Sequence, residues 1–219
     1  MKQLIAAADL DFRVKLIVAA ATGVRAGEFH ALLWRHLDLV RGELKTETRV
    51  DAHGDEDVTK TAAGMRDVPL GADVVAVLKE WKLRTRYGEA NQLVFPSKRG
   101  GYENHDSMVK RKFLPLYEKL AGLYAADPDK HPESPVRFNW HALRHFAISC
   151  RIEAGLAPKT MQTFAGHSSL QVTMDRYGHL FKSDDHAKPW TRSQSNWYAA
   201  YVRLRFHAVK PVTKDTAHS

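Results

Sequence analysis

Residues 139–181, NWHALRHFAISCRIEAGLAPKTMQTFAGHSSLQVTMDRYGHLF, carry the densest set of chemically useful side chains in the sequence. His141 and Arg144 stand three apart, so on a helix they share one face. His167 follows Gly166 in a short polar turn, and Tyr177 comes ten residues later (177 − 167), near the end of another helical pattern. An imidazole, a guanidinium, a second imidazole and a phenol suit one task together: holding a phosphodiester while a tyrosine oxygen attacks it. Arginine matches phosphate geometry and stays charged, histidine can shuttle a proton, and tyrosine can form a covalent intermediate. Gly155 reads as the glycine that closes the helix starting near Asn139, and Pro158 as the first-turn proline of the next.

Upstream, TGVRAGE (22–28) precedes an amphipathic FHALLWRHLDL. Gly23 and Gly27 interrupt the helical pattern and let a backbone come close, with Arg25 between them. Taken alone, such an arginine faces water. Residues 39–70 read as strands: LVRGELKTETRV alternates as a hairpin with its turn at Arg41-Gly42, an acidic loop follows, and then TKTAAGMRDVPL, in which Pro69 ends the strand. Lys60, in that last run, reads in isolation as an exposed hairpin lysine.

Context changes both readings. HALRH, AGHSS and YGH resemble the C-terminal signature of the tyrosine recombinases, the phage-integrase family: H-x-x-R, then L-G-H-S/T, then a nucleophilic tyrosine about ten residues on. TGVRAGE resembles the family's first arginine box, and TKTAAGMRDVPL the hairpin that carries its catalytic lysine. The boxes run from residue 22 to 180. The resemblance implies a mainly α-helical fold with a small antiparallel β-sheet of about three strands (α+β), the tyrosine recombinase catalytic-domain fold. It implies a site of Arg25, Lys60, His141, Arg144, His167 and Tyr177. Tyr177 would attack the scissile phosphate to give a 3′-phosphotyrosyl intermediate, Arg25 and Arg144 would clamp its oxygens, and Lys60 would protonate the leaving 5′-oxygen. His141 would serve proton transfer with Tyr177, His167 would hydrogen-bond the phosphate, and Glu28 would orient neighbouring groups. The implied partners are double-stranded DNA and a homotetramer on paired sites, with no cofactor and no metal. Ala165 and Phe146 replace the family's usual Leu and Thr, at positions read as packing sites. Family members usually carry an N-terminal helical domain that grips the other face of the DNA, whereas this sequence starts almost at the catalytic boxes.

Composition agrees with that class. A chain of 219 residues makes one domain or two small ones, and 44% hydrophobic with 26% charged residues is ordinary for a soluble protein. The net charge of +8 (33 basic minus 25 acidic) favours a polyanionic partner. A single Cys150 excludes an internal disulfide and reads as a buried, inert thiol. No apolar run approaches the roughly 20 residues of a membrane span, and no apolar stretch after Lys2 suggests a signal peptide, so a prokaryotic or phage-infected cytoplasm is expected.

The remaining chain reads as supporting structure. Helices are expected over 3–21, capped midway by Asp11, over 71–87 with Val74, Val75, Leu78 and Trp81 inward, and over 107–123, capped by Asp106. LVFPS (93–97) reads as a short buried segment and 125–137 as a surface loop. The catalytic domain is expected over 1–183. In the tail, 184–219, Trp197, Tyr201, Leu204 and Ala208 form a helical stripe, expected to pack on a neighbouring protomer, with a helix completing the core of its own chain as the alternative. Two other readings compete. His141 and His145 are spaced like a zinc-protease pair, but Ala142 stands where that motif requires Glu and Arg144 would repel a cation. Residues 158–177 can also be read as a helix-turn-helix DNA-binding module without catalysis.

Overall fold

A computed structural model describes residues 1–51, 54–58 and 64–181. Helices α1 (Lys2–Ala7) and α2 (Leu10–Thr22) bury Leu4, Phe12, Leu16 and Val18. The cap of α2 is Asp9, whose carboxylate accepts the Phe12 N–H at 2.7 Å. Asp11, the expected cap, lies in the first turn instead, where its charge complements the positive helix end. Gly23 then closes α2 in the left-handed conformation (φ 67°), and a short α3 (Ala26–His30) follows.

The alternating stretch forms β1 (Leu37–Asp38), β2 (Glu43–Thr46), β3 (Thr48–Val50), β4 (Glu56–Val58) and β5 (Arg66–Pro69). The hairpin turn lies where expected. Asp38 Oδ1 accepts the N–H groups of Val40 and Arg41, and Gly42 (φ 70°) returns its N–H to the Asp38 carbonyl at 2.9 Å. One three-stranded antiparallel sheet runs β1-β2-β5, as expected, while β3 leaves it to pair with β4 in a separate ribbon. In the register of β2 with β5, Leu44 faces Val68 and Thr46 faces Arg66, and all four are buried. Period-two alternation therefore sends Arg66 inward beside Val68.

Helix α4 (Ala72–Arg84) buries Leu78, with Val74, Val75 and Trp81 packed against the same core, and the Trp81 indole donates to the Val94 carbonyl at 2.7 Å. Next come α5 (His105–Met108), a π turn over Val109–Phe113 and α6 (Leu114–Ala126). The cap here is Asn104, which accepts from Ser107 N, and not Asp106. Pro115 has no N–H to give to the preceding turn, and the wider π turn falls just before it. The chain ends its described part with α7 (Ala142–Glu153), α8 (Pro158–Ala165) and α9 (Leu170–Tyr177). No helix among the described residues is long and apolar enough to cross a membrane.

An aromatic cluster fixes where α7 begins. The Trp140 ring, buried just before His141, lies 6.1 Å from Phe12, 5.7 Å from Phe29 and 5.5 Å from Phe113. The buried stripe of α7 is Leu143, Arg144, Ala147, Ile148 and Ile152. Two expectations fail against that stripe: Cys150 and Phe146 fall outside it and are exposed, Phe146 by 46%. Ala165, in contrast, is buried as expected. Lys60 and the whole 182–219 tail, with its stripe from Trp197, lie outside the described residues.

Candidate active site

Every helix leaves its last carbonyls without intrahelical donors, and those groups carry the negative end of the helix dipole. In α8 they are answered by arginines from three separate segments. Arg66 Nε donates to the Phe164 carbonyl at 2.8 Å, Arg144 Nη2 to the Ala165 carbonyl, and Arg25 Nη2 to the Gly166 carbonyl at 2.6 Å. Gly166 takes the left-handed conformation that ends α8 (φ 63°). The opposite fork of Arg144 reaches the Gly23 carbonyl at 2.6 Å, and Arg151 covers the carbonyls of Ala21 and Thr22. Arg144 thus ties the C-terminal end of α2 to that of α8.

Glu28 balances part of this charge. Its carboxylate accepts a bidentate pair from Arg66 (3.0 and 2.9 Å), the Arg25 guanidinium at 2.8 Å and the Arg25 N–H at 2.8 Å. Burial alone would raise the Glu28 pKa, but the Arg66 hydrogen bonds and charge, with those of Arg25, hold it at about 2. Glu28 therefore orients its neighbours, as expected, and it also serves Arg66, which the sequence reading left unassigned. Gly27 makes this approach possible: a Cβ there would stand 2.5 Å from the Val50 carbonyl oxygen of β3.

Around the arginines stand three imidazoles and the phenol. The His167 ring is nearly parallel to that of Tyr177 (10°) with centroids 6.2 Å apart, and its Nδ1 lies 2.9 Å from Thr173 Oγ1. Burial, with Arg144, Arg25, Arg176 and Arg66 nearby, lowers the His167 pKa to about 4, so this ring is neutral at pH 7. Burial likewise lowers Arg144 to about 10, which leaves it charged. The Tyr177 side chain is buried, and its hydroxyl lies 2.6 Å from His145 Nδ1. For Tyr177, the family resemblance implies His141 as the proton-transfer partner. That ring stands edge-on to His145 at 4.9 Å, on the exposed rim. Arg25, Arg144, His167 and Tyr177 are thus gathered in one place, with His141 at its edge. His145 sits one residue after Arg144, and Arg66 in the box that carries Lys60; their positions were visible in the sequence, their contacts were not.

Among the described residues no group of three or more His, Cys, Asp or Glu side chains is placed to hold a metal ion. A cavity of about 260 Å³ lined by His30, Glu103, His105 and Asp106 includes none of the residues around Tyr177.

A model described as the phage integrase family matches residues 1–184. The chain belongs to that family. Among curated relatives it is 28% identical over 181 residues to the ICEBs1 integrase of Bacillus subtilis (strain 168), covering 79% of this chain and 46% of the relative. It is 30% identical over 185 residues to the tyrosine recombinase XerC of Xanthomonas axonopodis pv. citri (strain 306), covering 82% and 52%. The chain spans about half the length of the curated relatives it matches. Its fold is similar to that of the Tn1549 transposon integrase (residues 82–397) solved with circular intermediate DNA, with a TM-score of 0.65 and 21% identity over 82% of this chain and 59% of that one. The mainly helical α+β architecture of this family is therefore that of the present chain.

Proposed function

We propose that the chain is the catalytic part of a site-specific DNA recombinase that cleaves and rejoins strands through a covalent 3′-phosphotyrosyl intermediate. The observation that carries this reading is the gathering of Arg25, Arg66 and Arg144 on the carbonyls of 164–166, beside the Tyr177 phenol, with one carboxylate to balance three guanidinium groups. Such an excess of fixed positive charge suits a phosphodiester. Membership of the family and the relatives' names support the same reading.

In this mechanism the Tyr177 oxygen attacks the scissile phosphorus and the 5′-oxygen leaves. Arg25 and Arg144 stabilise the non-bridging oxygens; Arg25, with its side chain 43% exposed, is the more accessible of the two. His167, its Nδ1 occupied by Thr173, offers Nε2 to the phosphate. His141 completes the set on the exposed rim. Lys60 protonates the 5′-oxygen. A second strand's 5′-hydroxyl reverses the step, so bond energy is kept and neither ATP nor metal is needed. The working assembly is a homotetramer on paired double-stranded sites in a prokaryotic or phage-infected cytoplasm. Residues 1–183 are assigned as the catalytic domain.

The test is a duplex nicked near the cleavage site, incubated with the protein in EDTA and run on a denaturing gel. A covalent protein–DNA adduct is expected; binding without any adduct would favour the helix-turn-helix reading. Lys60 has its own check. Lys60→Ala is expected to be slow on ordinary DNA but near wild type when sulfur replaces the bridging 5′-oxygen, because a thiolate leaves without a proton. An equal defect on both substrates would remove Lys60 from that role.

A further inference from the structure

Cleavage by a phenol requires its proton to go somewhere, and three imidazoles stand within reach of one cluster. His167 has its Nδ1 engaged with Thr173 Oγ1 and meets Tyr177 ring against ring. His141 meets the His145 ring at 4.9 Å. Among the described residues, only His145 has a hydrogen-bond contact with the reacting oxygen, at 2.6 Å from Nδ1. Helix geometry explains the division between neighbours on α7. Consecutive residues project about 100° apart, so Arg144 enters the carbonyl cluster while His145 meets Tyr177 of α9.

We propose that His145 is the proton acceptor for the Tyr177 nucleophile, a catalytic role beyond the six residues named from the sequence. The inference rests on the reading of Tyr177 as nucleophile. In the forward step the Tyr177 Oη–P bond forms, the P–O5′ bond breaks, and the phenolic proton moves to His145 Nδ1. The 5′-oxygen leaves with a proton from the general acid. On rejoining, the 5′-hydroxyl attacks phosphorus and gives its proton back to the deprotonated general acid, the Tyr177 Oη–P bond breaks, and His145 returns its proton to the departing Oη. His145 is suited to accept: half-burial, Arg176 and Arg144 lower its pKa, which keeps it neutral at pH 7, with His141 as its other titratable neighbour. Tyr177 needs such an acceptor, because burial raises its pKa against the opposing pull of Arg144 and Arg176.

The test is the pH profile of adduct formation on the nicked duplex, at saturating DNA and single turnover. Wild type is expected to slow as pH falls through an imidazole titration below 6.5, where protonated His145 can no longer accept. In His145→Asn the amide oxygen occupies the place of Nδ1 without taking a proton. That variant is expected to bind DNA as before, cleave roughly 100- to 10,000-fold more slowly and lose the acid limb, whereas His141→Asn keeps it. A His145→Asn protein that cleaves at the wild-type rate, or retains the limb, overturns the proposal. Nitrogen NMR of wild type gives a second reading that needs no variant: the His145 ring must titrate at the pKa of the limb, and a mismatch also overturns it. Tyr177→Phe separates the two levels. An adduct in that variant defeats the nucleophile itself, while its absence together with wild-type cleavage by His145→Asn defeats the role of His145 alone.

Discussion

Arg25 and Arg144 would hold the same phosphate, yet the fold holds them differently. Arg25 has a side chain 43% exposed, whereas Arg144 is buried with its fork on two main-chain carbonyls. Removing either is expected to slow cleavage about a hundredfold, the usual loss for one preformed donor to developing charge. Their stabilities should diverge. Arg25→Ala loses a half-exposed ion pair, worth about 1 kcal/mol or less, and one hydrogen bond to the Gly166 carbonyl, worth about 1 kcal/mol. Arg144→Ala strands the Gly23 and Ala165 carbonyls, at about 1–3 kcal/mol each. Single-turnover cleavage and urea melts on the two variants measure both quantities; equal stability losses would contradict the dual role of Arg144. The residue types at this scale were legible from the spacing of the boxes. The Arg66–Glu28 pair was not, because it depends on the register of β5 against β2, and the contact of His145 with Tyr177 depends on how α7 meets α9.

Among the elements, the packing of α3 against β3 places the Arg25 box, and Gly27 sets its distance. Gly27→Ala would drive a Cβ to 2.5 Å from the Val50 carbonyl oxygen, so the helix and strand must separate. A destabilisation of about 1–3 kcal/mol is expected, with slower cleavage, since Arg25 and Glu28 move with α3. Gly122→Ala is the control: Gly122 is itself exposed on α6, its new Cβ would meet nothing within 4 Å beyond its own helix turn, and the change should stabilise by about 0.5–1 kcal/mol. Thermal melts compare them, and an unperturbed Gly27→Ala would contradict the close approach. Helices and their glycine and proline ends were readable because those residues act locally. The caps at Asp9 and Asn104 were each placed two residues late, since Asp11 and Asp106 are also acidic first-turn residues and only geometry shows which carboxylate or amide meets the N–H. The departure of β3 into its own ribbon had no local signal, because alternation does not say which partner a strand takes.

For the whole molecule, buried histidines set the response to acid. His30 is lowered to about 3 by burial, His105 and Lys15, and His167 to about 4 by burial and the surrounding arginines. In the unfolded chain both would take a proton near pH 6.5, so between that value and their folded pKa the unfolded state binds more protons. Stability then rises with pH in this window and is lost as pH falls through it, by about 1.4 kcal/mol per unit for each ring. Glu28, held at about 2, adds a loss below about 4.5 with the same sign. Urea unfolding at pH 6.5 and 5.0 should differ by roughly 3 kcal/mol; equal stability at the two would mean these rings are charged in the fold. The fold, the charge and the clustered arginines converge on the phenol of Tyr177, and its chemistry is what the account most depends on. The direct measurement is mass spectrometry of the trapped adduct after digestion of protein and DNA, with Tyr177→Phe in parallel. A nucleotide 3′-phosphate is expected on the peptide that contains Tyr177, and DNA binding without any adduct is expected in Tyr177→Phe. A nucleotide on another residue, or an adduct that persists in Tyr177→Phe, would contradict it.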